Sequence, residues 1–386
     1  MTNPALASAP VNRLLSLDVM RGVAMAFMIM VNNNGGPGAW GFMRHAAWNG
    51  LTATDLVFPT FIFVVGASIV FAFDARLVHG ATSTGLAWHT VQRAGILVLL
   101  GIVLNGFPLY QLDHLQVYGV LQRIAICYLA VGLFYLWDKR VWTKVAVLAA
   151  LLAGYWVLLR WIPVPGAGMP GRDIAFLDPG KNMVSWLELH FMPFHPQEDW
   201  TSFSRGGPNG LVSDIPAIGT ALFGLLAGLW LRSGRAVKAK TDGLALGAAL
   251  CLGSGYLWSV WFPLNKRMWT SSYVLVSAGW SLVVLTMLYW AVEQKGWRKR
   301  WTWPWLVFGS NAIVAYMFSS LVPIALRAVS THVAGKPMGQ PTHATRHLLS
   351  AIPDPGWAAF AFSASFMAVC FLPVWALYRK KIFVKV

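Results

Sequence analysis

Charged residues are scarce in this 386-residue chain, and their scarcity excludes a soluble globular protein. Only 11% of the residues are Asp, Glu, Lys or Arg, whereas an average soluble chain carries about 25%. Hydrophobic residues make up 57%, and the chain contains 21 Trp, 22 Phe and 10 Tyr. The apolar runs are long and do not alternate with polar residues, which favours membrane helices over the strands of a β-barrel.

Cysteine and the common catalytic motifs are also sparse. The three cysteines, Cys127, Cys251 and Cys370, all lie in apolar runs, so the sequence predicts neither a disulfide framework nor a CxxC metal pair. Neither a phosphate-binding loop nor a GxSxG motif occurs in a usable context. We therefore expect neither a catalytic metal nor ATP-driven pumping.

The apolar runs predict an all-α polytopic membrane protein with about ten transmembrane helices in a single domain, residues 1–386. Each crossing needs about 20 apolar residues. The predicted helices cover residues 14–33, 54–75, 87–106, 115–137, 141–162, 211–232, 242–262, 271–292, 303–329 and 356–378. We expect the two long segments 163–210 and 330–355 to fold over the outer face, because loops of this length are uncommon unless they are functional.

The positions of the basic residues predict an orientation. With both termini in the cytoplasm, the short cytoplasmic segments carry more Lys and Arg than the outer segments, as the positive-inside rule requires. The net charge of +16 is therefore attributed to topology in a lipid bilayer, and no nucleic-acid partner is expected. The N-terminal segment shows no removable signal peptide, so the first helix is expected to be its own insertion signal.

Several polar side chains interrupt the predicted helices. Asp18 and Arg21 are close enough to share one face of the first helix, and Arg93, Gln122 and Arg123 lie in the third and fourth. A central Asp or Arg costs about 2.5 to 3.5 kcal/mol on insertion scales. Two interpretations remain open. In the first, Arg21 is accommodated locally, either by pairing with Asp18 or by reaching the membrane interface. In the second, the three arginines and Gln122 line an inward-facing cavity for an anionic ligand.

The loop after the first helix carries the second group of polar residues. Asn32, Asn33 and Asn34 precede two glycines, a composition typical of turns, and Thr54 or Asp55 can cap the second helix. His45 lies in the same loop, and imidazole is the commonest general acid or base in enzymes. The residues alone leave open whether His45 is catalytic or structural.

Five segments, in order along nearly the whole chain, carry a resemblance to a known family. They are SLDVMRG at 16–22, HAAWNGLTATDLVFPTFIFVVGASI at 45–69, GVLQRIAICY at 119–128, NKRMWTSSYVLVSAGWS at 265–281 and FGSNAIVAY at 308–316. They resemble the heparan-α-glucosaminide N-acetyltransferase family and its bacterial, NagX-like relatives. The resemblance implies a ten-helix fold of the transmembrane acyltransferase type, acetyl-CoA as cytosolic donor and co-substrate, and an amino sugar as acceptor on the far side.

The compact length of the chain favours a bacterial source, and the expected location is the bacterial inner membrane. The lumenal domain of the lysosomal family members is not expected here. Whether the chain forms a homodimer stays open.

The resemblance also implies roles for individual residues. The family's active-site histidine matches His45, and an asparagine at the start of the same loop matches Asn32. His45 is expected either to take the acetyl group as a nucleophile or to deprotonate the sugar ammonium. Asn32 or Asn33 is expected to donate to the thioester oxyanion, and Asp55 to orient the imidazole or cap its helix. The embedded arginines, Arg21, Arg93 and Arg123, would meet the phosphates of CoA.

Two other functions remain open. In the first, the chain transports an amino sugar such as N-acetylglucosamine without acyl transfer, and His45 binds the sugar or couples protons. In the second, the chain is a catalytically silent membrane scaffold. The aromatic richness suits sugar stacking in both the enzyme and the transporter, so it does not discriminate between them.

Overall fold

The computed structural model describes residues 14–36, 38–107, 117–191, 210–298, 300–334 and 351–384, with side chains described to residue 325 in the fifth range. Its α-helices, in chain order, are α1 (Leu15–Asn32), α2 (Ala53–Val78), α3 (Ser83–Gly106), α4 (Val120–Trp137), α5 (Val141–Arg160), α6 (Met183–Phe191), α7 (Asp214–Arg232), α8 (Val237–Ser259), α9 (Ser271–Tyr289), α10 (Trp303–Ser310), α11 (Ala312–Ala334) and α12 (Pro355–Arg379). Within the described ranges, the β-type pairings are two isolated bridges in residues 164–174.

The all-α polytopic membrane fold predicted from the sequence is confirmed. Within the described residues, eight helical segments are long and apolar enough to cross a membrane, and α10 with α11 makes a ninth if this bent pair is one span. Helix α8 lies in another segment that was predicted to cross the membrane, but it is not among these eight. Lys238, Lys240 and Asp242 lie in its first turns and lower its mean hydropathy.

The ninth predicted helix, 303–329, is not continuous. Helix α10 ends at Ser310, α11 begins at Ala312, and the two are bent by 72°. The side chain of Asn311 is used at the break: Nδ2 donates to the carbonyl of Ile382 at 3.1 Å, and Oδ1 accepts from the N–H of Val384 at 2.8 Å. The prediction is corrected here because the partner of Asn311 is a distant part of the chain, which local apolarity does not reveal.

Helices α2 and α7 pack against each other with almost no side chain between them. A Cβ on Gly66 would lie 2.0 Å from the carbonyl oxygen of Ala221, and a Cβ on Gly224 would lie 1.9 Å from that of Phe63. Helices in lipid associate through this kind of close contact between small residues. The pair therefore forms a rigid centre, and Asp55 and Asp214 lie in the first turns of its two helices.

The described part of the predicted outer segment 163–210 is folded rather than extended. It contains α6, and its apolar side chains pack with those of the α8–α9 loop, for example Phe176 against Phe262 with ring centroids 5.9 Å apart. Residues 192–209 of this segment and residues 335–350 of the other predicted outer segment lie outside the described ranges. The outer-face assignment of both segments stays a prediction.

Candidate active site

His45 lies in the α1–α2 loop, and its ring contacts the first turn of α2. Nδ1 of His45 is 2.7 Å from Oδ1 of Asp55. The other carboxylate oxygen, Oδ2, accepts from the N–H groups of Ala46 and Thr52, both at 3.1 Å. A carboxylate only accepts hydrogen bonds, so Nδ1 carries the proton in this pair. In the neutral imidazole, Nε2 is then the nitrogen without a proton.

The contacts of Asp55 are compatible with both of the roles that the sequence left as alternatives. Asp55 forms a capping box with Thr52 at the start of α2, and its Oδ1 orients the imidazole. The hydroxyl of Tyr273 donates to the backbone carbonyl of Asp55 at 2.5 Å and so ties this turn to α9. The side chain of Asp55 is 1% exposed and that of His45 is 46% exposed. A buried carboxylate therefore holds an accessible imidazole.

Lys266, in the α8–α9 loop, is a member of this site that the sequence analysis missed. Its Nζ lies 3.0 Å from Nδ1 and 3.4 Å from Nε2 of His45, and 3.7 Å from Oδ1 of Asp55. An atom this close to both ring nitrogens would clash with Cε1 if it lay in the ring plane. Lys266 therefore lies over the face of the ring and does not compete with Asp55 for the Nδ1 proton.

The amine of Lys266 has an unusual environment for a lysine. Burial lowers its pKa to about 8, although the carboxylate of Asp55 acts in the opposite direction. The guanidinium groups of Arg123 and Arg267 also lower it. Lys266 lies within a segment that carries the family resemblance, but no spacing in the sequence indicates that it reaches His45.

Backbone and amide contacts join the loop of His45 to the loop of Lys266. Asn265 donates from Nδ2 to Oδ1 of Asn49 at 3.0 Å, and the N–H of Gly50 donates to the carbonyl of Leu264 at 2.8 Å. Trp269 has a φ of +54° and a fully buried side chain. A non-glycine residue in this region costs about 1 to 3 kcal/mol, so the packing around Trp269 holds the lysine loop in its shape.

The asparagines of the first loop mainly build the turn. Asn33 donates from Nδ2 to the carbonyl of Ile29 at 3.0 Å, and Asn34 donates to the carbonyl of Met43 at 3.0 Å. Asn32 is exposed at the last residue of α1. Within the described residues, no hydrogen bond ties Asn32 to His45. The oxyanion role of Asn32 or Asn33 stays a prediction, and the amide of Asn33 would have to leave Ile29 to fulfil it.

A cavity of about 640 Å³ lies toward the other end of α2, between α1, α2, α3, α4, α10 and α11. Its size is in the usual range for cofactor and small-molecule sites. The basic side chains on its wall are Arg21, Arg76, His89 and Arg93, and most of the others are apolar. Along α2 the wall runs from Arg76 to Phe61, which is about 22 Å at the rise of an α-helix.

Two of the arginines predicted to share a cavity do line it. Arg21 is 3.1 Å from Asp18 and 2.7 Å from the hydroxyl of Ser68, so the local ion pair occurs together with a position on the cavity wall. Arg93 donates to the hydroxyl of Tyr128 at 3.3 Å and lies over its ring. Arg76 and His89 were not predicted to line the cavity, because the predicted second helix ended at residue 75 and His45 was the only histidine given a role.

Arg123 does not line this cavity, which corrects the prediction that three arginines share it. Nε of Arg123 is 2.6 Å from Oδ1 of Asp214, and the side chain is 0% exposed. Arg123 also donates to Ser213 and lies over the ring of Trp269, near Lys266 rather than Arg76. Gln122 is likewise buried outside the cavity lining. Arg123 lies away from the cavity because its charge is neutralised inside the protein by Asp214, a carboxylate that is distant in the sequence.

The described residues contain no group of three His, Cys, Asp or Glu that could hold a metal ion. A family model described as heparan-alpha-glucosaminide N-acetyltransferase, catalytic, matches residues 13–199. Two curated proteins of the name heparan-alpha-glucosaminide N-acetyltransferase are similar to the chain. The Mus musculus protein is 27% identical over 369 residues, 81% of this chain and 54% of its own length. The Homo sapiens protein is 28% identical over 434 residues, 97% of this chain and 60% of its own length.

Proposed function

Because these similarities support membership of the chain in the heparan-alpha-glucosaminide N-acetyltransferase family, we propose that it is a membrane-embedded acetyltransferase. The acetyl group moves from cytosolic acetyl-CoA across the bilayer to an amino sugar such as glucosamine. The chain spans between half and two thirds of the length of these relatives. The activity and both substrates are therefore proposals for this chain.

The observation that carries this proposal is that one helix connects the basic cavity to the imidazole. Arg76 lies near one end of α2, and Asp55, which holds His45, lies in the first turn at the other end. The cavity wall reaches Phe61, about 9 Å along the helix from Asp55. Arginine pairs well with phosphate, so the CoA nucleotide binds at the basic end and its thioester arm extends toward His45.

The residues around His45 suit acyl transfer by either of two routes. Asp55 keeps the proton on Nδ1, so Nε2 is free to attack the thioester carbon or to take a proton from the sugar ammonium. Asn32 and Asn33 are retained as candidate donors to the oxyanion. Arg21, Arg76, His89 and Arg93 would bind the donor rather than take part in the chemistry.

We also propose an orientation in a bacterial inner membrane. Both termini and the basic end of the cavity face the cytosol, where acetyl-CoA is made. The described short segments at that end support this through their cations, including Lys139, Arg140 and Arg235. His45 and the segments 163–210 and 330–355 then face the far side, and the helices form a single domain.

The function is tested with the purified protein in sealed proteoliposomes that contain radiolabelled acetyl-CoA. With glucosamine added outside, we expect labelled N-acetylglucosamine in the external solution, because correctly oriented molecules carry the acetyl group outward. Uptake of the sugar by vesicles without CoA, and no labelled product, would instead support the transporter. In cells, a single cysteine in residues 234–241 that an impermeant reagent labels from outside would contradict the orientation.

Replacing Arg93 or Arg76 by Ala is expected to weaken CoA binding about tenfold or more. A hydrogen bond to a charged group is worth about 1.5 to 3 kcal/mol, and each variant loses at least one to a phosphate. Titration calorimetry measures this. Pantetheine, which lacks the nucleotide phosphates, should bind the variants and the unchanged protein equally.

The matched control for these variants is Arg235→Ala. Arg235 is exposed at the same end of the bundle and is not part of the cavity lining, so its loss should leave the affinity for CoA almost unchanged. The cavity assignment would be wrong if the unchanged protein bound no CoA, or if Arg235→Ala weakened binding as much as Arg93→Ala.

A further inference from the structure

We propose that Lys266 is a site of self-acetylation: when no acceptor amine is present, its Nζ takes the acetyl group that is delivered to His45. This inference rests on the proposed function, because it needs acetyl-CoA as the donor. It adds a modification site on the chain itself and a form of the protein in which the site carries one positive charge fewer.

The position of Lys266 over the imidazole ring carries the proposal. An acetyl group on Nε2 of His45 lies close to the ring plane, and a nucleophile approaches its carbonyl carbon from above or below that plane. Nζ of Lys266 is 3.4 Å from Nε2 and lies on the face of the ring. The acetyl carbon would be bonded to Nε2, so a small rotation of the flexible lysine side chain brings Nζ within the distance of about 3 to 3.5 Å from that carbon that a near-attack geometry requires. If His45 acts as a base instead, the acetyl group stays on CoA until the amine attacks it. The thioester carbon must then lie beside His45, and therefore also beside the amine of Lys266.

The environment of the amine makes it more reactive than a surface lysine. The side chain of Lys266 is 22% exposed. The charged or titratable groups that face it are His45, Asp55, Arg123 and Arg267, of which Asp55 favours the ammonium form and the arginines oppose it. With a pKa of about 8, much more of this amine is neutral near pH 8 than of a lysine with the ordinary value of about 10.4.

The reaction balances without a further reagent. The neutral amine of Lys266 attacks the acetyl carbon, and a bond forms between Nζ and that carbon. The bond from the acetyl carbon to the sulfur of CoA, or to Nε2 of His45, breaks. The proton lost by the nitrogen passes to the thiolate or to His45, so the products are an N-acetyl-lysine and CoA. An amide does not return its acetyl group, and the modified residue no longer places a cation 3.7 Å from Asp55.

The test is incubation of the purified full chain with deuterated acetyl-CoA, without an acceptor, followed by peptide mass spectrometry. We expect label on Lys266, and an excess of glucosamine should suppress it by competing for the acetyl group. The labelling rate should rise about tenfold from pH 7 to pH 9, as the neutral fraction of an amine with a pKa of about 8 rises from about one tenth to about nine tenths.

Lys181 is the internal control, because it is an exposed lysine that is far from His45 in the sequence. Its hydrogen bond within the described residues is made to Asp178 and not to His45. In the His45→Ala variant the label on Lys266 should fall to the level on Lys181. Lys266→Arg, which keeps the charge but has no lysine amine, should carry no label at this position, and Lys266→Gln, which imitates the acetylated residue, should have a lower turnover than Lys266→Arg.

The outcomes separate this inference from the proposed function. A preparation that acetylates glucosamine when the sugar is supplied, but leaves Lys266 unlabelled when no acceptor is present, would overturn self-acetylation and leave the enzyme assignment intact. Absence of label on both glucosamine and Lys266 would overturn both. Equal labelling of Lys266 and Lys181, or labelling that persists in His45→Ala, would show simple chemical acetylation and would also overturn the inference.

Discussion

His45→Ala is expected to lower acetyl transfer by about 10²- to 10⁴-fold, the usual contribution of a general acid or base, with little change in folding or CoA binding. The imidazole is half exposed in a loop, and its hydrogen bond to Asp55 is not part of the helix packing. The basic cavity is lined by residues at the other end of α2. Turnover, the Kd for CoA and the Tm are measured on one preparation.

The matched control is His190→Ala. His190 is an exposed histidine on α6 that stacks on Trp186, so its loss should leave turnover close to that of the unchanged protein. A loss larger than about 10⁴-fold in His45→Ala would favour the covalent route. Near-normal turnover would reject the catalytic assignment. A parallel loss of Tm, affinity and turnover would show that His45 only ties the loop.

Arg123→Leu is expected to destabilise the protein by about 3 to 5 kcal/mol, the usual cost of removing one partner of a buried ion pair. The variant leaves Asp214 buried and without its 2.6 Å partner. Glu188 lies in the same environment: burial raises its pKa to about 7, and Arg123 is the cation that opposes this shift. Two carboxyl groups would therefore share a buried region without a neutralising charge.

Thermal and denaturant unfolding in detergent measure this effect. The double variant Arg123→Leu with Asp214→Leu should recover most of the lost stability, because no isolated charge remains at that pair. Lys238→Ala is the control: its partner Asp242 is exposed, and exposed pairs contribute about 0 to 1 kcal/mol. A stable Arg123→Leu protein with selectively weakened CoA binding would contradict the structural role and restore Arg123 as a donor ligand.

The sequence by itself determined the class of the protein and the short-range parts of its site. The scarcity of charge and the long apolar runs required membrane helices, because apolarity is a property of each residue and its neighbours in the chain. The capping box of Thr52 and Asp55 and the ion pair of Asp18 and Arg21 join residues three positions apart. Backbone geometry alone brings such residues together, so the sequence could offer a cap at the start of α2 and a local Asp18–Arg21 pair, although it did not identify Thr52 as the N-cap.

Only the tertiary structure decided which distant residues meet. Lys266 lies over an imidazole 221 residues away, and Arg123 pairs with a carboxylate 91 residues away. Asn311 breaks a predicted helix because its amide binds the backbone of Ile382. In each case the outcome depends on how the helices pack, and in lipid that packing is set by close contacts between small residues rather than by hydrophobicity. For the same reason the sequence does not distinguish an embedded arginine that lines a cavity from one that is buried in an ion pair.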